Sequence, residues 1–368
     1  MGTTVEEGSE KVWSALARVM DPDLHKDIVS LGMVRTVSVS GSRVSLKVAL
    51  TTPACPLKDV IERDIRTAVL ALPGFDQVEV EWDKEAIRPA GVPGRAEVPG
   101  VANIVAVSAA KGGVGKTTMA VNLALALRLL GARVGILDAD VYGPNVPIML
   151  GTTDEPTVAS SGKMEPIVAH GLKVVSFGTL VRENQPIIWR GPMLAKALRE
   201  FLYEVEWGEL DYLIVDLPPG TGDVQLTLAQ SVPLSGVVVV TTPEAVSVAD
   251  VRRGIQMFVQ LNVPVVGIVE NMSGFVCGHC GETTELFGHG GGALLAQEFG
   301  IPLLGQLPLD PSVRMGNGDG IPLLVGDQEG PLARAILGVA EQTVSAVARQ
   351  AFDTTPTPAM PGPRVPAS

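Results

Sequence analysis

The run Ser108–Leu127, SAAKGGVGKTTMAVNLALAL, constrains the fold of this chain more than any other part of the sequence. Its glycines and small residues lie between an apolar run, NIVAVSA, and a segment of helical character. A loop of this kind between a buried strand and a helix points several backbone N–H groups at one place, and the helix N-terminus adds partial positive charge. The sequence therefore predicts a phosphate-binding loop in an α/β domain.

The usual spacing of such a loop, G-x-x-x-x-G-K-[ST], is met at Gly115, Lys116 and Thr117 but not at Ala110, where glycine is expected. Lys116 is expected to bind phosphates, and Thr117 to offer its hydroxyl to Mg²⁺. Alanine is the smallest replacement for glycine and is harmless if its φ stays negative. The residues predicted to bind the nucleotide here are Ala110, Lys111, Gly112, Gly113, Val114, Gly115, Lys116, Thr117 and Thr118.

A second lysine, Lys111, lies inside the loop. Lys116 and Mg²⁺ already serve one triphosphate, so a further cation is useful only if it reaches a phosphate from another direction, as an arginine finger does. From the residues alone, a solvated loop lysine explains Lys111 equally well.

Polar side chains follow three further apolar runs. Asp216 ends DYLIVD, a position from which a carboxylate holds Mg²⁺ through water, and the turn-rich LPPGTGD that follows is suited to sense the γ-phosphate. Asp138 and Asp140 end RVGILDAD, where they either orient water or a metal ligand or only cap the strand. Asn271, after VVGIVE, is predicted to read the adenine edge. The guanine-reading N-K-x-D pattern is absent from the sequence, which favours ATP over GTP.

The loop KGGVGKTT resembles the deviant Walker A loop of the MinD/ParA/nitrogenase-reductase class of ATPases. This resemblance implies that Lys111 crosses a homodimer interface to the ATP of the partner subunit. It also implies that Asp140 lies near the attacking water, that Asp216 is associated with Mg²⁺, and that Asp138 is the more structural acid. The catalytic residues predicted in this way are Lys111, Lys116 and Asp140.

Cys277 and Cys280 form a C-x-x-C pair, a spacing compatible with zinc, an iron–sulfur cluster or a redox dithiol. The residues after Cys280 are a poor helix start, which disfavours a redox dithiol. Zinc needs four ligands; His289 is a candidate third ligand, whereas His279 is badly placed between the cysteines. Two subunits together supply the four thiolates of one [4Fe–4S] cluster on a twofold axis, in the same dimer that Lys111 requires.

Seven runs carry a second resemblance: KGGVGKTT, LDADVYGPNVPIMLG, WRGPM, DYLIVDLPPGTGD, VENMSGFVCGHCG, LFGHGGG and LPLDPSVR. Together they resemble the Mrp/ApbC (Nbp-type) scaffold ATPases over about residues 100–350. The resemblance implies a homodimeric ATPase of slow turnover that uses ATP and Mg²⁺, binds a labile [4Fe–4S] cluster and transfers it to apo-proteins. The front part, with DPDLHKDIVSLGMV and TTPACPL, resembles the small assembly domain of SufT- and PaaD-like proteins. Its Cys55 is either a transient cluster or metal ligand or a small buried apolar residue.

From about Asn103 onwards, apolar runs alternate with helix-length segments. This rhythm predicts an α/β fold, a P-loop NTPase of the deviant Walker A, MinD/ParA class, with a mostly parallel sheet and helices on both faces. A small α+β domain precedes it. The predicted boundaries are 1–85 for the small domain, 86–101 for a Pro- and Gly-rich linker, 102–352 for the ATPase domain and 353–368 for a disordered Pro-rich tail.

A formal charge of −12 disfavours broad nucleic-acid or membrane-surface binding. Three cysteines in so long a chain, without a basic-then-apolar start, favour the cytoplasm. Two alternatives remain: a positioning ATPase of the MinD/ParA type, disfavoured by a last helix with few basic residues, and a zinc-binding P-loop ATPase without cluster transfer. A nitrogenase-reductase-like electron donor is set aside because its cysteines are spaced far apart.

Overall fold

The computed structural model describes residues 5–50, 56–83, 97–179, 191–313 and 320–353. The chain divides into two compact units, Met1–Ala90 with Ala351–Ser368 and Gly91–Gln350. Cys55, most of the predicted linker and almost all of the predicted tail lie outside the described residues.

The first unit is a small α+β unit. Its two helices and three strands are α1 (Val5–Leu16), β1 (Val34–Ser40), β2 (Arg43–Val48), α2 (Lys58–Leu70) and β3 (Gln77–Trp82). The alternating runs form the β1–β2 antiparallel hairpin, and Gly41 in its turn has a φ of +63°. Helix α2 returns the chain so that β3 joins β2 in parallel. The apolar faces meet in a core that includes Val12, Leu16, Ile28, Leu46, Ile61 and Ile65.

The second unit is built on a large sheet and its covering helices. Its strands are β4 (Val101–Ser108), β5 (Val134–Asp138), β6 (Thr157–Val158), β7 (Met164–Glu165), β8 (Ile167–Ala169), β9 (Leu172–Ser176), β10 (Leu210–Asp216), β11 (Gly236–Thr241), β12 (Val265–Val276), β13 (Thr283–Thr284) and β14 (Leu303–Leu309). Its helices are α3 (Lys116–Leu129), α4 (Val146–Met149), α5 (Gly191–Tyr203), α6 (Asp223–Ser231), α7 (Ala245–Gln260), α8 (Gly291–Phe299), α9 (Leu323–Gly326) and, as far as Gln350, α10 (Pro331–Asp353).

The sheet is mostly parallel, as predicted. Its order is β13-β12-β11-β4-β10-β5-β9-β8, with β14 also paired to β12, and β8 and β13 are its antiparallel members within the described residues. Every residue of β5, β10 and β11 is buried, because helices and connecting segments cover both faces of a parallel sheet. The short strands β6, β7, β8 and β13 were not predicted, since two or three residues carry too little periodicity to be recognised.

The register of the central strands positions the functional residues. Asp216 at the end of β10 lies beside Asp138 on β5 and Val107 on β4. The phosphate loop begins just after Val107, so it emerges beside both acids. Ligands of open parallel sheets bind at this carboxyl edge of the strands. Among the described helices, none is long and apolar enough to span a membrane.

Candidate nucleotide and cysteine sites

The phosphate loop connects β4 to α3, whose first residue is Lys116. Gly113 and Gly115 have φ values of +80° and +87°, a left-handed conformation that favours glycine. At Gly115 an added Cβ would also collide with Nδ2 of Asn271. Glycine is therefore required at Gly115 for its conformation and for its close contact with Asn271.

Ala110 stands where the usual pattern has glycine. In the described residues, the non-glycine residues with positive φ are His25, His170, Asn262 and Met272. Ala110 is not among them, so its backbone does not need the freedom of glycine. The loop thus keeps its shape despite the substitution.

Lys116 is the centre of a buried polar cluster. Only 7% of its side chain is exposed, and its Nζ lies 2.6 Å from Oδ1 of Asp216 and 3.4 Å from Oδ2 of Asp140. The hydroxyl of Thr117 donates to the other carboxylate oxygen of Asp216 at 2.8 Å. Hydroxyl and carboxylate oxygens are the ligands that Mg²⁺ prefers, so Thr117 and Asp216 fit that ion.

Asp138 lies deeper than these groups and is fully buried. Its carboxylate accepts hydrogen bonds from the hydroxyl of Ser176 at 2.8 Å and from the backbone N–H of Val146 at 3.2 Å. Burial, assisted by the nearby charge of Asp216, raises the pKa of Asp138 to about 7. Burial also raises the pKa of Asp216, although Lys116 acts in the opposite direction. Asp138 supports the loop after β5, whereas Asp216 faces the ammonium group of Lys116.

Asp140 lies at the start of the segment that leads to α4. Its side chain is almost buried, and Oδ1 accepts hydrogen bonds from the N–H groups of Tyr142 and Gly143 at 3.2 and 3.3 Å. These bonds leave Oδ2 directed towards Lys116. Asp140 thus lines a cavity beside the phosphate loop, whereas Asp138 does not line it.

Lys111 forms an ion pair with Glu244, the residue that precedes α7. The pairing holds the pKa of the Glu244 carboxyl below its usual value. About a third of each side chain remains exposed, 30% for Lys111 and 37% for Glu244. Exposed ion pairs of this kind are weak, so a stronger acceptor can take the lysine from Glu244.

Two cavities meet at the loop. One, of ≈ 360 Å³, is lined by Lys111, Lys116, Thr117 and Asp140. The other, of ≈ 330 Å³, shares Gly113, Gly115 and Thr118 with the first and continues to Asn271. Its remaining walls are largely apolar and come from Met119, Met272, Leu307, Pro308, Leu309, Asp310, Val313, Leu332 and Ile336. A polar cavity joined to an apolar one fits the phosphates and the base of a nucleotide.

A larger cavity of ≈ 670 Å³ lies elsewhere, and its lining residues include Asp154, Lys173 and Glu206. None of the residues predicted for the nucleotide or cysteine sites lines it. Chemistry rather than volume therefore identifies the nucleotide site.

Asn271 is bound to the phosphate loop. Its Nδ2 donates to the carbonyl oxygen of Val114 at 2.9 Å. The role of Asn271 as a reader of the adenine edge stays a prediction; its Oδ1 is an acceptor of the kind that the exocyclic amino group requires.

Cys277 and Cys280 lie in the turn between β12 and β13. The N–H of Cys277 donates to the carbonyl of Glu282, and the N–H of Gly281 donates to the carbonyl of Cys277. Backbone N–H groups of Cys280 and His279 donate to the Cys277 sulfur and lower the pKa of this thiol. Cys277 is partly exposed and Cys280 exposed, so both thiols are presented outwards as potential ligands.

The cysteine pair has no third ligand in the part of the chain that the structure describes, where no group of three His, Cys, Asp or Glu side chains is arranged to hold a metal. His289, the candidate third zinc ligand, instead pairs through Nδ1 with Glu285 at 2.7 Å. The turn is followed by β13 rather than a helix, unlike a redox dithiol at a helix N-terminus.

Two carboxylates with contacts close to these sites escaped the sequence interpretation. Glu244, the partner of Lys111, follows a strand end, the same signal that identified Asp216. Glu270 is fully buried, and it accepts hydrogen bonds from the N–H groups of Gly290 and Gly292 at 3.2 and 2.6 Å. A single carboxylate at the end of the apolar run VVGIVE was the available signal. Glu270 fixes the start of α8 against β12.

Known proteins resemble both units of the chain. Residues 100–344 match the family described as NUBPL iron-transfer P-loop NTPase, and residues 9–82 match the family described as iron-sulfur cluster assembly protein. A relative from Synechocystis named iron-sulfur cluster carrier protein is 48% identical over 94% of this chain and 99% of its own length.

Solved structures resemble the larger unit. A nucleotide-binding protein from Archaeoglobus fulgidus, determined with ADP, shares 38% identity over 63% of this chain and 91% of its own, with a TM-score of 0.56. The cell division ATPase MinD of Pyrococcus furiosus covers 65% of this chain and 97% of its own at 22% identity, with a TM-score of 0.51. The second likeness concerns the fold alone.

Proposed function

The chain belongs to the NUBPL iron-transfer P-loop NTPase family, and we propose that it is a homodimeric ATPase that carries a [4Fe–4S] cluster to apo-proteins. Relatives named iron-sulfur cluster carrier proteins support the carrier role. The match of the first unit to an iron-sulfur cluster assembly family supports a place in the same process. We assign the protein to the cytoplasm, without a nucleic-acid or membrane partner.

The single observation that carries this proposal is the outward-facing cysteine pair. Cys277 and Cys280 supply two thiolates, and the described residues around them add no third ligand. A [4Fe–4S] cluster takes four thiolates, which two copies of the chain provide. Exposed Val276, Leu286 and Phe287 flank the pair and supply apolar surface for such an association.

The nucleotide site supplies the charge needed for phosphate chemistry. Lys116 and the loop N–H groups bind phosphate oxygens, and Asp140 orients the attacking water at the same cavity. When bound, Mg²⁺ neutralises further phosphate charge, and Thr117 and Asp216 are the residues that hold it. ATP competes with Asp216 for Lys116, which makes binding a rearrangement and is consistent with slow turnover.

Lys111 completes the site across the dimer. Among the described residues, its ion-pair partner is Glu244, in a weak and partly exposed pair. A triphosphate in a second copy is a stronger acceptor than one exposed carboxylate. ATP in each subunit therefore brings the two copies together, and the cysteine pairs with them.

Anaerobic reconstitution with iron and sulfide tests the proposal. We expect about four irons per dimer, the content of one cluster, and loss of nearly all of this iron in the double variant Cys277→Ser/Cys280→Ser. Thr283→Ser, at an exposed position of the neighbouring strand β13, is the matched control and should keep its iron. One zinc per chain in place of iron, or unchanged iron in the double variant, would contradict the cluster assignment.

A further inference from the structure

One strand connects the phosphate loop to the cysteine pair. Asn271, within β12, donates to the carbonyl of Val114 in the loop and packs against Gly115. The same strand ends at Val276, immediately before Cys277. The two sites are therefore separated by less than about 20 Å of extended chain.

The strand is irregular between these two points. Asn271 lies opposite Leu307 on β14, whereas Phe275 lies opposite Leu309, so β12 contains extra residues between the two pairs. Met272 in this bulge has a φ of +57°, unfavourable for a non-glycine residue. Ser273 anchors the bulge by donating its hydroxyl to the carbonyl of Leu307 at 3.1 Å. Bulges redirect the strand that follows them, which here is the one leading to Cys277.

The ≈ 330 Å³ cavity that fits the base of a nucleotide, here called the base cavity, is lined by residues of this bulge. Asn271 and Met272 from β12, Leu307 and Leu309 from β14, and Gly115 of the loop all line it. Neither cysteine lines this cavity or the adjoining phosphate cavity. An effect of the nucleotide on the cysteines within one chain therefore has to pass through the intervening structure.

We propose that Asn271 is a positioning residue that, through the bulge, couples nucleotide occupancy to the cysteine turn. A base in the cavity packs on Met272 and holds the bulge in one arrangement, and the Asn271–Val114 hydrogen bond ties that arrangement to the loop. Nucleotide then restrains the turn that carries Cys277 and Cys280. The inference rests on the proposed function for its purpose, but its test needs no iron.

Thiol reactivity in the metal-free protein measures this coupling. The rates of alkylation of Cys277 and Cys280 by iodoacetamide are followed by peptide mass spectrometry at one pH, with and without saturating MgADP. Dilute protein, shown to be monomeric by light scattering, removes any effect of dimerisation. We expect MgADP to slow alkylation of the pair by about fivefold, the lower end of typical coupling between sites.

Asn271→Ala should bring this protection below about 1.5-fold even when MgADP saturates the site, as checked by calorimetry. Asn103→Ala is the matched control, because Asn103 likewise donates its side-chain amide to a backbone carbonyl, that of Asp211 at 3.2 Å. It should keep the full protection. Met272→Gly, which removes the conformational penalty at this position, should weaken the coupling without removing the Asn271–Val114 contact.

Binding measured in the reverse direction supplies a second readout. Alkylation of both cysteines adds bulk to the turn that nucleotide is proposed to restrain, so it should weaken MgADP binding in the wild type and hardly at all in Asn271→Ala. Full protection in Asn271→Ala would overturn the inference. So would a wild type that binds MgADP but whose cysteines react at an unchanged or faster rate. A wild type that binds no nucleotide would instead overturn the proposed function.

Discussion

The nucleotide site and the cysteine site differ in how much of each a single chain provides. At the nucleotide site, Lys116 and Asp216 are buried and bound to each other, and two connected cavities are already formed. At the cysteine site, two thiols lie on an exposed turn. The first site is nearly complete within one chain, and the second, under the proposed function, supplies half of the ligands of a cluster.

The two sites therefore differ in what they need in order to be occupied. A site whose charges are paired in advance needs only its ligand and a small rearrangement. A site with half of its ligands needs a second copy of the chain, so its occupancy depends on association. Lys111 lies beside the nucleotide site of its own chain, but the role proposed for it also needs a second copy.

The largest expected effect is at the nucleotide site. Lys116→Ala should reduce nucleotide affinity by about 1000-fold, because it removes a buried cation that faces both Asp216 and the phosphates. Isothermal calorimetry with MgADP measures the loss, and the exposed Lys196→Ala serves as control. Reconstituted iron should stay unchanged if the cysteine site does not require nucleotide; joint loss would show that the two sites are not separable.

Lys111→Ala should separate binding from hydrolysis. We expect ATPase activity to fall by about 100-fold or more, as for loss of a charge supplied in trans, with MgADP affinity within about threefold of the wild type. Arg252→Ala, which also removes an exposed ion pair, with Glu298, is the control. Glu244→Gln frees Lys111 from its partner and should preserve activity. Equal loss of affinity and activity in Lys111→Ala would place the lysine in its own site only.

Mixed dimers test whether the cluster is shared. Metal-free wild type is mixed in equal amounts with Cys277→Ser/Cys280→Ser before reconstitution. Random pairing should give about a quarter of the wild-type iron, since only dimers with four cysteines hold a cluster, whereas independent sites would give about half. Wild type mixed with Lys196→Ala should keep all its iron.

The smallest expected effect is on stability against pH. The pKa of Asp138 is raised to about 7 in the folded protein from 3.8, so folding favours its protonated form. This stabilisation is present below the unfolded pKa and is lost as pH rises through about 7. Between pH 5 and 8 the Tm of the nucleotide-free protein should fall on the order of 2–4 °C for each kcal/mol lost.

Asp138→Asn should flatten that slope in thermal scans, whereas Asp154→Asn, at an exposed position, should leave it unchanged. An undiminished slope in Asp138→Asn would assign the pH dependence to another group.

Much of the nucleotide site could be predicted because its signals are local. Gly115, Lys116 and Thr117 are adjacent in the chain, and their spacing reflects a loop whose geometry depends on few residues. Asp216 could be predicted as a site residue because acids at the ends of apolar runs converge at one edge of a parallel sheet. The Lys111–Glu244 and Asn271–Val114 contacts could not be predicted from the sequence, since each joins residues far apart along the chain.

By itself, the sequence determined the fold class, the phosphate loop and the C-x-x-C motif of Cys277 and Cys280, because these depend on periodicity and short spacing. Tertiary structure alone decided which acid faces Lys116, which carboxylate holds Lys111 and where β12 bulges. Those outcomes depend on strand order and register, which bring distant segments together and which no local pattern encodes.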